Sequence, residues 1–337
     1  MKNISLVGFG RIGRDLFRQT IKDDSINIVS VSDIAEKENL VYLLKYDSIY
    51  GPLNAEILET EKGISVNGKE TIFNKWKNSD ESDWKSINTD IVVLATGKQQ
   101  TLEECKNHLK KGAKKIIIAS TPSEKNAIEI YVPGANDDDI DFSKSIISLG
   151  SNTANACGPI LKILNDAVQI ERAFINTVHG YSNSNRLADV AGEGLTNNRA
   201  AGENIIPNQT NSYEVIEKVL PFLKNKITSS SMTVPIPDGS IVDLTIDIVN
   251  KTSSEDINKI IQENISKKYI KNRIGITFEP IVSSDVVGNS LSGLVDGLST
   301  MNIDEKKIKI LIWFDNGWGY SSRILETIKI YQESYGK

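Results

Sequence analysis

The chain has 337 residues, 39 of them Lys or Arg and 44 Asp or Glu, for a formal net charge of −5. That length suits about two domains, each able to bury its own core, and no apolar run approaches the ~20 residues that cross a bilayer. Lysines interleaved with acids exclude the basic stripe that nucleic acid requires, and two cysteines with two histidines supply neither a disulfide framework nor a zinc cluster, so no metal is expected.

The first residues, MKNISLVGFGRIGR, enter a strand-like run without the apolar stretch of a secretory leader, and the chain reads as cytoplasmic. In chain order, β-branched runs at Ile4–Val7, Ile28–Val31, Ile91–Leu94, Ile116–Ala119 and Ile146–Leu149 are predicted strands. Arg11–Ile21, Asn39–Leu44 and Leu102–Lys110 are predicted helices, the last capped by Gly112. This alternation predicts parallel strands with crossover helices, a doubly wound nucleotide-binding domain. After Ser151 the texture changes. A helix at Gly158–Ala167 precedes β-rich runs at Ala173–His179, Thr233–Asn250 and Ile308–Phe314, with a polar loop at Tyr181–Asn204 and a terminal amphipathic helix at Gly319–Tyr335. Strand runs after a helix predict an α+β second domain with a mostly antiparallel sheet.

Gly8-Phe9-Gly10-Arg11-Ile12-Gly13 is a GxGxxG placed after the first strand and at the head of a helix. Its first glycine permits a tight turn, the second lets a pyrophosphate reach the backbone, and the third lets helix and strand pack closely. Helix N-terminal amides then face the phosphates. Asp33, 20 residues past Gly13, ends the second strand, where a carboxylate accepts from a ribose 2′-OH and repels a 2′-phosphate; the cofactor expected is NAD. Thr96 and Gly97, after a later strand, are placed to line the same cleft.

Several segments together resemble the glyceraldehyde-3-phosphate dehydrogenase family over nearly the whole chain. They are VGFGRIGR at the start, LLKYDSIYG at 43–51, ATGK at 95–98, GAKKIIIAS at 112–120, NTVHGY at 176–181, NIIP at 204–207, VPIPDGSIVDL at 234–244 and WFDNGWGYSSR at 313–323. The resemblance implies an NAD-binding Rossmann domain of residues 1–151 and 316–337 and a catalytic domain of 152–315, with an S-loop at about 181–205. It further implies a homotetramer, a small anionic substrate, and catalysis through a cysteine thioester cleaved by phosphate.

The family's segment S-N-A-S-C-T-T-N reads here Ser148-Leu149-Gly150-Ser151-Asn152-Thr153-Ala154-Asn155, and Pro159 and His179 keep the family's spacing. The resemblance therefore puts Asn152 at the nucleophile position, where an amide forms no thiohemiacetal. Cys157, five residues on, is turned about 140° and displaced by roughly 7.5 Å on a continuous helix, and is read as a core residue, as is Cys105. His179 matches the family's base, with a pKa expected near neutrality. Asn316 matches the asparagine that holds the nicotinamide carboxamide, and Tyr320 shares its motif. Ser151, Thr153, Arg199 and Thr210 resemble the inorganic-phosphate pocket. Ser182, Ser184 and Thr233 occupy the substrate-phosphate pocket, now without its arginine. The expected activity is NAD-dependent oxidoreduction of a small phosphorylated or carboxylated substrate by direct hydride transfer without an enzyme thioester, with His179 as acid or base and Asn152 on the reacting oxygen. Two other readings are a phosphorylating dehydrogenase using Cys157 and a catalytically silent NAD-binding paralogue.

Overall fold

A computed structural model of the chain describes residues 2–192 and 194–334. Glu193 of the predicted S-loop, Tyr335 at the end of the predicted last helix, and Met1 and residues 336–337 of the predicted first domain lie outside the described residues. By its contacts the chain divides into two units: one holds the residues up to Tyr131, Asp139–Gly150 and the residues from Tyr320 on, the other Val132–Asp138 and Ser151–Gly319.

In the first unit the described elements are β1 (Lys2–Val7), α1 (Arg11–Thr20), β2 (Ile26–Ser32), α2 (Lys37–Lys45), β3 (Ile57–Glu59), β4 (Gly63–Val66), β5 (Lys69–Asn74), β6 (Ile91–Leu94), α3 (Leu102–Lys110), β7 (Lys115–Ile118), β8 (Glu129–Ile130) and β9 (Ile146–Ser148). They form a nine-stranded sheet in the order β3-β4-β5-β2-β1-β6-β7-β9-β8. From β5 to β8 every pairing is parallel. Residues 91–94 and 115–118 are buried throughout, as expected of parallel strands covered on both faces. Chain order reverses at β1, the switch point where such sheets bind ligands.

The antiparallel edge β3-β4-β5 departs from the purely parallel expectation. Its turn is Asn67-Gly68, both at positive φ (49° and 83°), a strong hairpin signal whose flanking strands are too short to show a hydrophobic period. Residues 132–138 also depart from the single boundary near Ser151. Gly134 backs onto Pro159 and Arg273 pairs with Asp137, which ties this stretch to the second unit. The C-terminal helix belongs to the first unit from Tyr320 on. There Ile324, Ile328 and Tyr331 are buried, and Lys115 Nζ lies 4.7 Å over the Tyr331 ring while donating to the carbonyls of Phe142, Ser143 and Lys144.

The second unit contains α4 (Asn152–Val168), β10 (Ile170–Gly180), β11 (Ile206–Asn208), α5 (Ser212–Val219), β12 (Ile227–Val234), β13 (Ser240–Ile248), α6 (Ser254–Asn264), β14 (Ile274–Thr277), β15 (Gly293–Asp304) and β16 (Lys307–Phe314), after which the C-terminal helix, α7, runs Trp318–Ser334. Its seven-stranded sheet has the order β11-β12-β10-β13-β16-β15-β14, antiparallel except for β10–β12 and β14–β15. Burial alternates strictly along β13 and β16, so one face packs under helices while the other is half exposed.

Helix α4 begins six residues before the predicted Gly158. Ser151 caps it by accepting from the Ala154 amide at 3.1 Å, and the fold tolerates Pro159 inside it at the cost of one ladder bond. The predicted run Thr233–Asn250 divides into β12 and β13 at Pro235, Pro237 and Gly239. Gly239 has φ +83°, and a Cβ there would lie 2.1 Å from the Ser283 carbonyl oxygen. β12 reaches back to Ile227 through the polar stretch Thr228–Ser231, which hides it from a hydropathy reading.

Candidate functional site

The glycine-rich turn links β1 to α1. Gly8 has φ +91°, and a Cβ there would lie 2.5 Å from the Ala95 carbonyl oxygen; one on Gly13 would lie 2.3 Å from the Gly8 carbonyl oxygen. Gly10 differs, because a Cβ on it would meet nothing within 4 Å. Gly10 also caps α1 without a side-chain hydrogen bond, and the first turn, Arg11-Ile12-Gly13, carries no acidic residue. Open space before helical amides fits an anionic pyrophosphate. Asp33 Oδ2 accepts from the Phe9 amide at 2.7 Å and Oδ1 from the Ala35 amide at 3.0 Å, so the carboxylate is fixed beside the same turn. Past β6, Thr96 Oγ1 accepts from Lys98 N and Gln100 Nε2, and Gly97 turns the chain at φ +73°. On these observations the first unit fits a dinucleotide. Tyr320 is buried; its hydroxyl donates to the Gly150 carbonyl at 2.8 Å, and burial raises its pKa.

At the head of α4, Asn152 Oδ1 accepts from the Thr153 amide at 2.8 Å. Cys157 stands in the second turn, 0% exposed, with Sγ 3.0 Å from the Thr153 carbonyl oxygen; burial pushes its thiol up to about 12. Cys105 is likewise 0% exposed and pushed up to about 12, chiefly by burial. Neither is a thiolate at neutral pH.

Hydroxyls gather where α4 and α5 begin. Ser151 Oγ lies 3.5 Å from Ser212 Oγ, which is 3.0 Å from Thr210 Oγ1. Ser212 is a member that the sequence reading missed, since a serine in a polar stretch carries no signal of its own. Arg199, expected in the inorganic-phosphate pocket, is paired within the loop. Its Nε donates to Asp189 Oδ2 at 3.0 Å, and Asp189 also accepts from the Ala200 amide, which fastens the S-loop to itself. Of the second anion pocket, Ser182 and Ser184 are joined at 2.8 Å, whereas Thr233 Oγ1 accepts from Asn208 Nδ2 at 2.8 Å.

His179 sits at the end of β10, in register with Thr233 of β12. Its Nδ1 is 3.3 Å from Ser240 Oγ, which donates to Asn316 Oδ1 at 3.1 Å. The edge of the His179 ring pair with Phe314 has centroids 5.9 Å apart. The register of the sheet explains the row, because β10, β13 and β16 are neighbours and Ser240 is paired with Phe314. Asp315 then fixes the turn around Asn316: its carboxylate accepts from Gly317 N, Trp318 N and Gly288 N. Burial alone pushes His179 down to about 4, below the expected near-neutral value: among the described residues no carboxylate acts on the ring to hold its proton. Among the described residues no cluster of three or more His, Cys, Asp or Glu is placed to hold a metal ion, and no helix is long and apolar enough to cross a membrane.

Comparison with known proteins covers both units. Residues 2–102 match the family model of the glyceraldehyde 3-phosphate dehydrogenase NAD binding domain, and residues 151–316 match that of the glyceraldehyde 3-phosphate dehydrogenase C-terminal domain. The chain is 38% identical over 324 residues to glyceraldehyde-3-phosphate dehydrogenase of Geobacillus stearothermophilus, covering 96% of each chain. It is 36% identical over 327 residues to glyceraldehyde-3-phosphate dehydrogenase 2 of Bacillus subtilis, covering 97% of this chain and 95% of the relative. Over 337 residues, 100% of both chains, it is 33% identical to glyceraldehyde-3-phosphate dehydrogenase 1 of Bacillus cereus.

Proposed function

The chain belongs to the glyceraldehyde-3-phosphate dehydrogenase family and is an NAD-dependent oxidoreductase, and from that premise we propose that it oxidises a small phosphorylated or carboxylated substrate without forming an enzyme thioester. The observation that carries this reading is the state of the thiols. The resemblance puts Asn152 at the family's nucleophile position, and both cysteines of the chain are 0% exposed with thiol pKa values near 12. Cys157, buried against its own helix, does not stand in for the missing nucleophile.

Gly8, Gly10, Arg11, Ile12, Gly13, Asp33, Thr96 and Gly97 hold NAD in this reading, with Asn316 on the carboxamide. When bound, NAD supplies the hydride acceptor at nicotinamide C4. His179, neutral at working pH, takes the proton of the substrate hydroxyl. Asn152 donates a hydrogen bond from its amide to the same oxygen, which gains carbonyl character as the hydride leaves. Ser151, Thr153, Ser212 and Thr210 receive the anionic group of the substrate at the heads of α4 and α5, where helix dipoles favour negative charge. The remaining guanidinium hydrogens of Arg199 serve the same end. Ser182, Ser184 and Thr233 offer neutral hydroxyls, which suit the uncharged end of the substrate. Phe174 and Met232, exposed on the sheet of the second unit, support self-association as the homotetramer that the resemblance implies.

A titration of NAD followed by a panel of small phosphorylated aldehydes, phosphorylated alcohols and hydroxy acids tests the reading. NADH formation from at least one of them, independent of inorganic phosphate, is expected. Tight NAD binding with no turnover from any would sink it in favour of a silent NAD-binding protein. Phosphate-dependent turnover of glyceraldehyde 3-phosphate at ordinary dehydrogenase rates would replace it with thiol chemistry.

A further inference from the structure

Hydrogen counting around Ser240 bears on which nitrogen of His179 carries the proton. Ser240 is 0% exposed and owns one hydroxyl hydrogen, directed at Asn316 Oδ1, an oxygen that only accepts. The Gly180 amide points at the same Ser240 oxygen from 3.4 Å. Ser240 Oγ therefore has no hydrogen left for His179, and a contact of 3.3 Å with Nδ1 is a hydrogen bond only if Nδ1 is the donor. We propose that Ser240 is a positioning residue that holds His179 in the Nδ1–H tautomer, leaving the Nε2 lone pair to take the substrate proton, and that it turns the Asn316 amide hydrogens away from itself as donors toward a ligand oxygen.

The chain carries its own control. It has two histidines, and the other, His108 of α3, accepts at Nδ1 from Trp84 Nε1 at 3.0 Å. An indole nitrogen only donates, so His108 holds its proton on Nε2, the opposite tautomer. Burial pushes both rings down to about 4, so both are neutral at pH 7 and each has a single tautomer to report. Sequence separation hides the Ser240 contact: the two residues are 61 positions apart.

The proposal rests on the reading of His179 as proton acceptor, yet the tautomer is measured without any substrate. In the full chain labelled with 15N-histidine, long-range proton–nitrogen correlation at pH 7 distinguishes the two ring nitrogens, and His108→Gln assigns the pairs. The expected spectrum has one histidine protonated on Nδ1, His179, and one on Nε2, His108. Ser240→Ala is expected to move His179 toward the Nε2–H form that an unconstrained imidazole favours, with the His108 signals unchanged as a marker of the fold, and Ser240→Thr to restore the original pattern. Wild-type His179 protonated on Nε2 overturns the proposal. So does an unchanged His179 pattern in Ser240→Ala, and the wild-type spectrum decides alone if that variant fails to fold. With a substrate in hand, Ser240→Ala lowers kcat about tenfold or more while KM stays near its original value. Absence of any substrate would end the oxidoreductase mechanism but leave the tautomer result standing.

Discussion

Asn152→Cys is expected to convert the chain into a thioester-forming dehydrogenase. The substituted residue is the first of α4, directly after the Ser151 cap, where unsatisfied helical amides lower a thiol pKa and favour the thiolate. Cys157 gains nothing from that position because it lies a turn deeper and 0% exposed. With glyceraldehyde 3-phosphate and NAD, the variant should show a burst of NADH followed by turnover that depends on inorganic phosphate, and an acyl adduct on residue 152 by intact mass. Loss of a covalent nucleophile costs on the order of 10³ to 10⁶ in kcat, and its return should recover at least the lower end of that range over the natural chain. A folded, NAD-binding variant that acquires no adduct shows instead that the substrate end of the pocket, with Ser182, Ser184 and Thr233 in place of a cation, excludes this aldehyde.

His179→Gln carries the second large effect. Glutamine keeps a polar side chain beside Ser240 but removes the proton acceptor, so kcat should fall by roughly 10² to 10⁴ while NAD affinity is retained. The pH dependence of the natural chain identifies the group. Burial favours the neutral ring and lowers its pKa to about 4, so the base form persists as pH falls and is lost only on approaching that value. Activity is therefore expected to be flat from pH 7 to pH 5, where an unperturbed imidazole would already have lost about thirtyfold of its base form. A decline centred near pH 6.5 would place the ring in water and contradict the packing seen around it. Stopped-flow measurement of NADH formation under single-turnover conditions separates this step from product release.

What the chain makes legible follows the range of each interaction. The turn Gly8–Gly13 and the acid Asp33 are local features of strand, turn and helix, and their steric reasons can be read from residue type and spacing. The Asn67-Gly68 hairpin is equally local, but the strands it joins have only four and six residues, too few for a period. Asn152 and Cys157 stand out only against a family pattern, while the burial of Cys157 belongs to the folded unit. The tuning of His179 is not legible at all: its pKa, its tautomer and its link to Asn316 depend on three strands brought side by side. Arg199 illustrates the converse, since its pairing with Asp189, ten residues earlier, depends on how the loop folds.

The central claim is hydride transfer without an enzyme thiol, and NADH formation by the double variant Cys105→Ala, Cys157→Ala tests it most directly. Each substitution removes one sulfur from a packed site at a cost of roughly 1–2 kcal/mol, so thermal unfolding and NAD titration serve to establish that the variant is folded. Assayed at saturating NAD with the substrate that the panel identifies, the cysteine-free chain is expected to turn over with the kcat of the natural one and to show no covalent adduct by intact mass. Turnover abolished in a folded, NAD-binding double variant would contradict that claim and return the chemistry to Cys157.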